Sequence, residues 1–220
     1  MHAALADPIR LALFDAVAVS DRTPGELGSK LGIGSNLLAH HLGVLERAGL
    51  VHRQRSDVDR RKVYVRATPE VLAEVVTGAT LQAAGIVFVC THNSARSQLA
   101  EAMWNRERVG IRARSAGTHP ASRVHPGAIR AARRRGLDLG RAPRGFIGLN
   151  SRAELVVTVC DQARDELGDR ADIHWSIPDP VRAGTPNAFE RAASDIERCV
   201  ERLARSAAAE RGSQHRRGGR

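Results

Sequence analysis

The sequence predicts two domains. The first is a mainly α winged helix-turn-helix with a β-hairpin wing, and the second is an α/β three-layer domain built on a parallel sheet. Three observations predict this. Residues 5–49 carry apolar side chains at helical spacing in three blocks, the last two joined by the short turn GIGS. Two alternating runs, LVHRQR and KVYVRA, follow and are joined by SDVDR, a hairpin pattern. Beyond residue 85 short β-branched runs alternate with helical patterns, as in a parallel sheet with helices on both faces.

In the first domain Leu5 to Val19 is apolar at helical spacing. The second helix opens with Thr23, Pro24 and Glu26, a capping box with proline at the first helical position. Ser35 is placed to cap the third helix, whose Leu38, Leu42 and Leu45 share one face. Gly49 ends that helix. After the hairpin, a further helix over about Pro69–Thr77 closes the unit.

The second domain offers three strand candidates: GIVFVC, ELVVTVC and ADIHWSIPDP, the last ending in prolines. RSQLAEAMWNRE and HPGAIRAARRRG read as helices between them, and the last helix runs from about Asn187 to Arg205. The small-residue stretch TGATLQAAG marks the boundary. The expected organisation is residues 1–78, a linker at 79–85, a domain at 86–205, and a polar, basic tail at 206–220 read as disordered. Parallel sheets place ligands at the carboxyl ends of their strands. Cys90, Cys160 and Asp179 each follow a predicted strand and so can converge.

Composition narrows the class. The 220 residues carry a net charge of +10 and are 42% hydrophobic, a globular balance. Lys30 and Lys62 are the only lysines, so the positive charge is nearly all arginine. No apolar run reaches the length of about 18 residues that a membrane helix needs, and MHAALADPIR does not read as a secretory signal. Three cysteines, Cys90, Cys160 and Cys199, do not make a disulfide framework. A cytoplasmic protein with free or catalytic thiols is the expectation.

The stretch VFVCTHNSARSQLAEA holds the chemistry. A thiolate is a good nucleophile, but a free cysteine with pKa about 8.5 is only a few per cent ionised at neutral pH. Here a helix begins near Ser97, and its N–H groups and positive dipole end can face the loop. The amides of Thr91, His92, Asn93, Ser94, Ala95 and Arg96 can form a nest around an oxyanion. Arg96 can grip two oxygens bidentately. The spacing Cys-x5-Arg thus wraps one loop around a tetrahedral oxyanion, above the Cys90 sulfur.

These residues resemble the low-molecular-weight protein tyrosine phosphatase superfamily, and more closely its arsenate reductase branch. The resemblance rests on Cys90, Thr91, Asn93, Ser94, Arg96, Ser97, Gln98, Ala100 and Glu101, on SAGT at 115–118, VVTVCD at 156–161 and PDP at 178–180. It spans roughly Ile86 to Leu203. It implies that Asn93 holds the loop, that Ser97 assists the thiolate and that Asp179 is the general acid. It further implies that Cys160 attacks the cysteine–arsenic adduct and releases arsenite. The branch has a third cysteine seven residues later, where this sequence has Leu167, so the usual relay is incomplete. An external reductant, thioredoxin or a low-molecular-weight thiol, then completes the cycle, and no tightly bound cofactor is expected. His92 stands where the family commonly has glycine; it either contacts an oxyanion or faces solvent. Cys160 is either redox-active or inert core, and Cys199 reads as packing. A phosphatase and a regulator that senses an oxyanion without turnover are the alternatives to a reductase.

The first domain resembles the ArsR family of small dimeric repressors through ALADPIRLALFDAV, LLAHHLGVLERAGLVHRQR and RRKVYVRAT. That implies binding to a double-stranded DNA operator as a homodimer. Ser35, Asn36 and His40 face away from the leucine stripe, as base or phosphate contacts or as a solvated face. His41 packs or touches backbone. Arg53, Arg55, Arg60 and Arg61 suit phosphate better than bases. Residues 1–80 carry ten basic and nine acidic side chains, so the basic wing stands on a nearly neutral unit. Relatives sense arsenite or metals through cysteines before the recognition helix; TPGELGSKLGI has none, and His2, His40, His41 and His52 lack metal-ligand spacing, so no metal site is expected.

Overall fold

The computed structural model describes residues 2–68, 83–107, 110–139, 142–146 and 154–214. The chain divides into two compact units, Met1–Ala79 and Thr80–Arg220. The helix expected at 69–77 and most of the expected linker lie outside the described residues.

The first unit begins with α1 (His2–Leu5) and α2 (Pro8–Ala18). The single helix expected over Leu5–Val19 is broken at Asp7, whose carboxylate accepts from the Arg10 N–H at 3.0 Å and caps α2 with Pro8 in its first turn. α3 (Pro24–Leu31) has the expected capping box: Thr23 Oγ1 accepts from the Glu26 N–H at 3.2 Å, and the Thr23 N–H donates to Glu26 at 2.7 Å. α4 (Ser35–Arg47) starts one residue earlier than expected. Gly34 is its cap and Ser35 is already helical, so Ser35 does not cap. Gly49, at φ +69°, follows the end of α4, and the Gly49 and Leu50 N–H groups close the last turn on Glu46 and Leu45. Leu38, Leu42 and Leu45 of α4 pack in one core with Leu13, Phe14 and Leu27.

The wing strands β1 (Val51–Arg55) and β2 (Val63–Ala67) pair antiparallel from Val51 with Ala67 to Arg55 with Val63. Arg22 extends this ribbon through two backbone hydrogen bonds with Val65. Beneath it Arg66 pairs with the fully buried Asp21 at 3.0 Å.

The second unit holds β3 (Gly85–Cys90), α5 (Arg96–Arg106), β4 (Ala113–Gly117), α6 (Pro126–Arg133), β5 (Glu154–Thr158), α7 (Asp161–Leu167), β6 (Ile173–His174), α8 (Pro180–Ala183) and α9 (Pro186–Gln214). The strands are parallel in the order β4-β3-β5-β6. All six residues of β3 are buried, as the run GIVFVC requires of a central strand. α5 packs on β3 and β4, α7 on β3 and β5, and α9 on α5 and α6. β3 and β5 are adjacent, so their carboxyl ends bring Cys90 and Cys160 to the same edge.

The structure departs from the sequence reading in four places here. β4 was not read as a strand, because ARSAG has no β-branched or aromatic residue. The third strand shrinks to two residues, because Pro178 and Pro180 cannot donate to a ladder and the chain leaves the sheet after His174. β3 already includes Gly85, paired with Glu154. α9 runs to Gln214, nine residues past its expected end, so residues 206–214 belong to a helix rather than a disordered tail. SAAAER contains the best helix former three times and no proline. Among the described residues no helix is long and apolar enough to cross a membrane.

Replacing Thr23 by Ala removes the side-chain half of the α3 cap. The first unit should lose about 1 kcal/mol of stability, read as a lower urea midpoint for its transition in the full chain.

Candidate active site

Cys90 ends β3, and residues 91–95 form a loop that runs into α5. Asn93 sits in the left-handed region at φ +48°, the one non-glycine residue among those described to do so, in a conformation that asparagine tolerates better than most. Its backbone N–H donates to Cys90 Sγ at 3.2 Å. Its side-chain amide donates to Ser97 Oγ at 2.8 Å and to Ser115 Oγ at 2.9 Å. The amide oxygen accepts from the Arg144 N–H at 2.9 Å. Ser115 in turn donates to Glu101 at 2.7 Å. Because Asn93 fills the acceptor side of Ser97, the Ser97 hydroxyl is free to donate to Cys90 Sγ, 3.0 Å away.

The outer wall of the loop is fixed by backbone. The carbonyls of Thr91, His92 and Ser94 accept from the N–H groups of His119, Ala121 and His125 at 2.8–2.9 Å. With carbonyls committed outward, the peptide units can turn N–H groups toward the concave side. Gly117 makes this approach possible: a Cβ there would lie 2.8 Å from the Thr91 carbonyl oxygen and 2.9 Å from the Asn93 nitrogen.

Arg96 opens α5, 6% exposed. Its Nη1 donates to the Ile177 carbonyl at 2.9 Å, and Nη2 lies 3.3 Å from Asp179 Oδ2. Asp179 also caps α8, accepting from the Val181 N–H at 3.0 Å. The turn created by Pro178 and Pro180 therefore brings the carboxylate to the guanidinium.

Cys160 caps α7, its sulfur accepting from the Ala163 N–H at 3.4 Å, and it lies 3.4 Å from Thr91 Oγ1. Burial pushes its pKa up to about 11 against the pull of the Arg96 cation. Cys90, Cys160 and Cys199 are all buried with free thiols, and Leu167 is buried at the end of α7. Cys199 receives a hydrogen bond from Arg202 within α9, away from this loop in the contacts it makes.

The structure thus brings Cys90, Asn93, Arg96, Ser97, Asp179 and Cys160 into one connected set, with Thr91 between the two thiols. Ala95 caps α5 without a side-chain contribution. His92 is exposed, and its Nδ1 donates to the His119 carbonyl at 3.0 Å. A pocket of about 510 Å³ opens beside the loop, lined by His92, Ser94, Ser122, Arg123, His125 and Val181 among others. Ser115, Glu101 and Gly117 receive no role from spacing alone, since their parts depend on β4 lying beside β3; Glu101 and SAGT are their sequence trace.

In the first unit Ser35, Asn36 and His40 are exposed along α4, and Arg53, Arg55, Arg60 and Arg61 are exposed on the hairpin. His41 is buried, 3.8 Å from Asp7. Arg53 pairs with Glu46 and Arg61 with Asp59, while Arg55 donates to the Arg60 carbonyl. No group of three metal-ligating side chains occurs among the described residues.

Residues 85–213 match the low molecular weight phosphotyrosine protein phosphatase family, and residues 5–54 match a helix-turn-helix domain. An arsenate reductase of Halalkalibacterium halodurans is 33% identical over 132 residues, which cover 54% of this chain and 94% of that protein. An arsenate reductase of Bacillus anthracis is 34% identical over 126 residues, 54% of this chain and 92% of that one. The structure of Vibrio vulnificus Wzb in complex with benzylphosphonate superposes with a TM-score of 0.50 at 20% identity, over 56% of this chain and 97% of that one, a likeness of fold.

Two outcomes are expected. Gly117→Ala should abolish oxyanion binding, read by phosphate or arsenate protection of Cys90 from alkylation. At pH 8 about one in a thousand Cys160 thiols is ionised, given a pKa of about 11. Its alkylation should accelerate about tenfold per pH unit above that and level off near 11, followed by mass spectrometry of the Cys160 peptide.

Proposed function

We propose, for a chain that belongs to the low molecular weight phosphotyrosine protein phosphatase family, that its second unit reduces arsenate and its first unit binds DNA. The observation that carries the reductase is the nearness of two thiols: Cys160 Sγ lies 3.4 Å from Oγ1 of Thr91, the residue after Cys90, and feels the Cys90 charge. Hydrolysis of a phosphoester needs one thiol; reduction of arsenate needs two electrons, which two thiols supply. Likeness to arsenate reductases over nearly their whole length supports the same choice.

Arsenate enters the loop, and Arg96 turns from Asp179 to hold two of its oxygens, aided by the amides of residues 91–96. The Cys90 thiolate, held by the Ser97 hydroxyl and the Asn93 N–H, attacks arsenic. Asp179 supplies the proton with which one oxygen leaves as water. A second thiolate then attacks Cys90 Sγ. The S–S bond forms, the S–As bond breaks, and its electron pair passes to arsenic, which leaves as arsenite. Cys160 is the internal candidate for this thiol. An external reductant, thioredoxin or a small thiol, returns the sulfurs to the thiol state.

A phosphatase is the second reading, favoured by Asp179, whose acid role is the one an ester leaving group requires. Against it, the part of the pocket wall formed by described residues carries no phenyl, phenol or indole ring to seat an aryl ester.

For the first unit we infer that α4 enters the major groove with Ser35, Asn36 and His40, that the wing arginines meet phosphates, and that a homodimer matches a two-fold operator. Control of arsenic-resistance genes follows from joining the two units in one chain.

Arsenite production from arsenate should vanish in Cys90→Ser and fall about 10²–10³-fold in Asp179→Asn; Arg96→Lys should fall by a similar factor through loss of the bidentate grip. Aryl phosphate hydrolysis dependent on Cys90, with no arsenite from any reductant, would replace the reductase by the phosphatase. In DNA titrations across salt concentration, Arg60→Gln should reduce the slope of log K against log salt by about 0.9; an unchanged slope removes Arg60 from the interface.

A further inference from the structure

The pocket beside the loop is larger than an oxyanion needs. Its volume of about 510 Å³ falls within the range of small-molecule sites, about 300–1,000 Å³, whereas arsenate is held by the loop itself. Two walls connect it to the chemistry. His92 and Ser94 belong to the loop that follows Cys90, and Val181, the second residue of α8, lies two residues after Asp179.

Its polar character has one sign. Arg123 and His92 are exposed on the wall and His125 is half-buried, and none of the described lining residues is acidic. Each histidine is oriented. His92 Nδ1 carries its hydrogen toward the His119 carbonyl. His125 Nδ1 accepts from the Gly127 N–H at 3.0 Å, so its hydrogen is on Nε2, and its ring stacks on Phe189 at 4.8 Å. Of the carboxylates near this loop, Glu166 is engaged by His119 at 3.3 Å, and Asp179, which accepts from the Val181 N–H, is engaged by Arg96 at 3.3 Å. Such a wall attracts negative charge and disfavours positive charge.

The thiols themselves limit the reductant. Cys90, Cys160 and Cys199 are 2%, 1% and 2% exposed. The position of a third, outlying thiol is Leu167, itself buried. A protein reductant therefore meets no exposed sulfur on this unit, while a small thiol in the pocket sits beside the loop that begins at Cys90.

We propose that this pocket binds the reductant, a small thiol carrying carboxylates, with Arg123 as its anchor. The inference rests on the reductase reading. The bound thiolate RS⁻ attacks Cys90 Sγ of the arsenic adduct. The S–S bond forms, the S–As pair goes to arsenic, and arsenite leaves. A second equivalent of the same thiol attacks the mixed disulfide, releasing RSSR and the Cys90 thiolate.

The test uses the full chain carrying Cys160→Ser, so that a mixed disulfide at Cys90 persists. The Cys90 thiolate attacks one sulfur of an added disulfide and expels RS⁻, and the adduct is counted by mass spectrometry of the Cys90 peptide. The probes are oxidised glutathione, which is anionic, and cystamine, which is cationic. Glutathione should react faster, and Arg123→Glu should shift the ratio of the two rates at least about tenfold toward cystamine, with Arg123→Gln between them. In the arsenite assay the unmodified chain should show a KM for glutathione that Arg123→Glu raises about tenfold.

A ratio that Arg123→Glu leaves unchanged overturns the pocket, even if arsenite is made. Faster turnover with thioredoxin than with glutathione, insensitive to Arg123, overturns it as well. Absence of arsenite with every reductant overturns the reductase reading instead, and the disulfide ratio still decides whether the pocket selects anionic partners.

Discussion

The second unit depends on the side-chain amide of Asn93. Both of its hydrogens and its oxygen are engaged: the nitrogen with Ser97 and Ser115, the oxygen with the Arg144 backbone. These bonds leave one orientation for the amide, and hold a left-handed residue that its backbone alone would disfavour. The gain is direct. In that conformation the Asn93 N–H points at Cys90, and the Ser97 proton is left for the same sulfur. One residue therefore sets the loop shape and both hydrogen bonds to the nucleophile. Its support comes from three separate segments, β4, α5 and the stretch before Phe146, so the loop is as rigid as the packing of the sheet.

The two sulfurs meet opposite environments at neighbouring strand ends. Cys90 receives a backbone N–H and a hydroxyl. Cys160 receives the first turn of α7, yet burial outweighs that donor and the Arg96 cation and keeps it protonated. This contrast assigns an order. On the reductase reading proposed above, the sulfur with donors meets arsenic first. On the same reading, the other becomes a nucleophile only when its surroundings change, as they do once the Cys90 charge is spent in a bond. Removal of the Cys90 charge favours the Cys160 thiolate, whereas neutralisation of Arg96 disfavours it, so internal attack by Cys160 is a balance of opposed terms. An incoming small thiolate avoids that balance.

Much of this was legible because it is local. Cys90 and Arg96 lie on one loop, GIVFVC is a buried strand wherever it is placed, and Thr23 with Glu26 caps a helix through neighbours three apart. The linkage of Asp179 to Arg96 needed only the rule that parallel strands end at one edge. What escaped was non-local or subtle in propensity. β4 is made mostly of small residues whose strand character comes from pairing with β3, from Ile86 opposite Ala113 to Cys90 opposite Gly117. The Ser115–Glu101 support of Asn93 exists only once that pairing is made. Ser35 missed its cap by one residue, since glycine at 34 takes the extended cap conformation. The alanines after Ser206 continue a helix that charge and glycine content argued against.

The first unit raises a different energetic question, because its charges nearly cancel. The DNA affinity proposed for it would come from placement rather than from net charge. Two wing arginines are paired with their own carboxylates, Arg53 with Glu46 and Arg61 with Asp59. Both pairs are exposed on the arginine side, and exposed pairs contribute about 0.2–1 kcal/mol at most. Exchanging each for a phosphate is therefore cheap, and release of condensed counterions favours the exchange. The carboxylates left behind would then face the backbone of the DNA and oppose a loose or misplaced approach. On the proposed DNA-binding reading, a wing arranged this way would hold poorly to arbitrary polyanions and engage where α4 can seat its exposed Ser35, Asn36 and His40 in the groove.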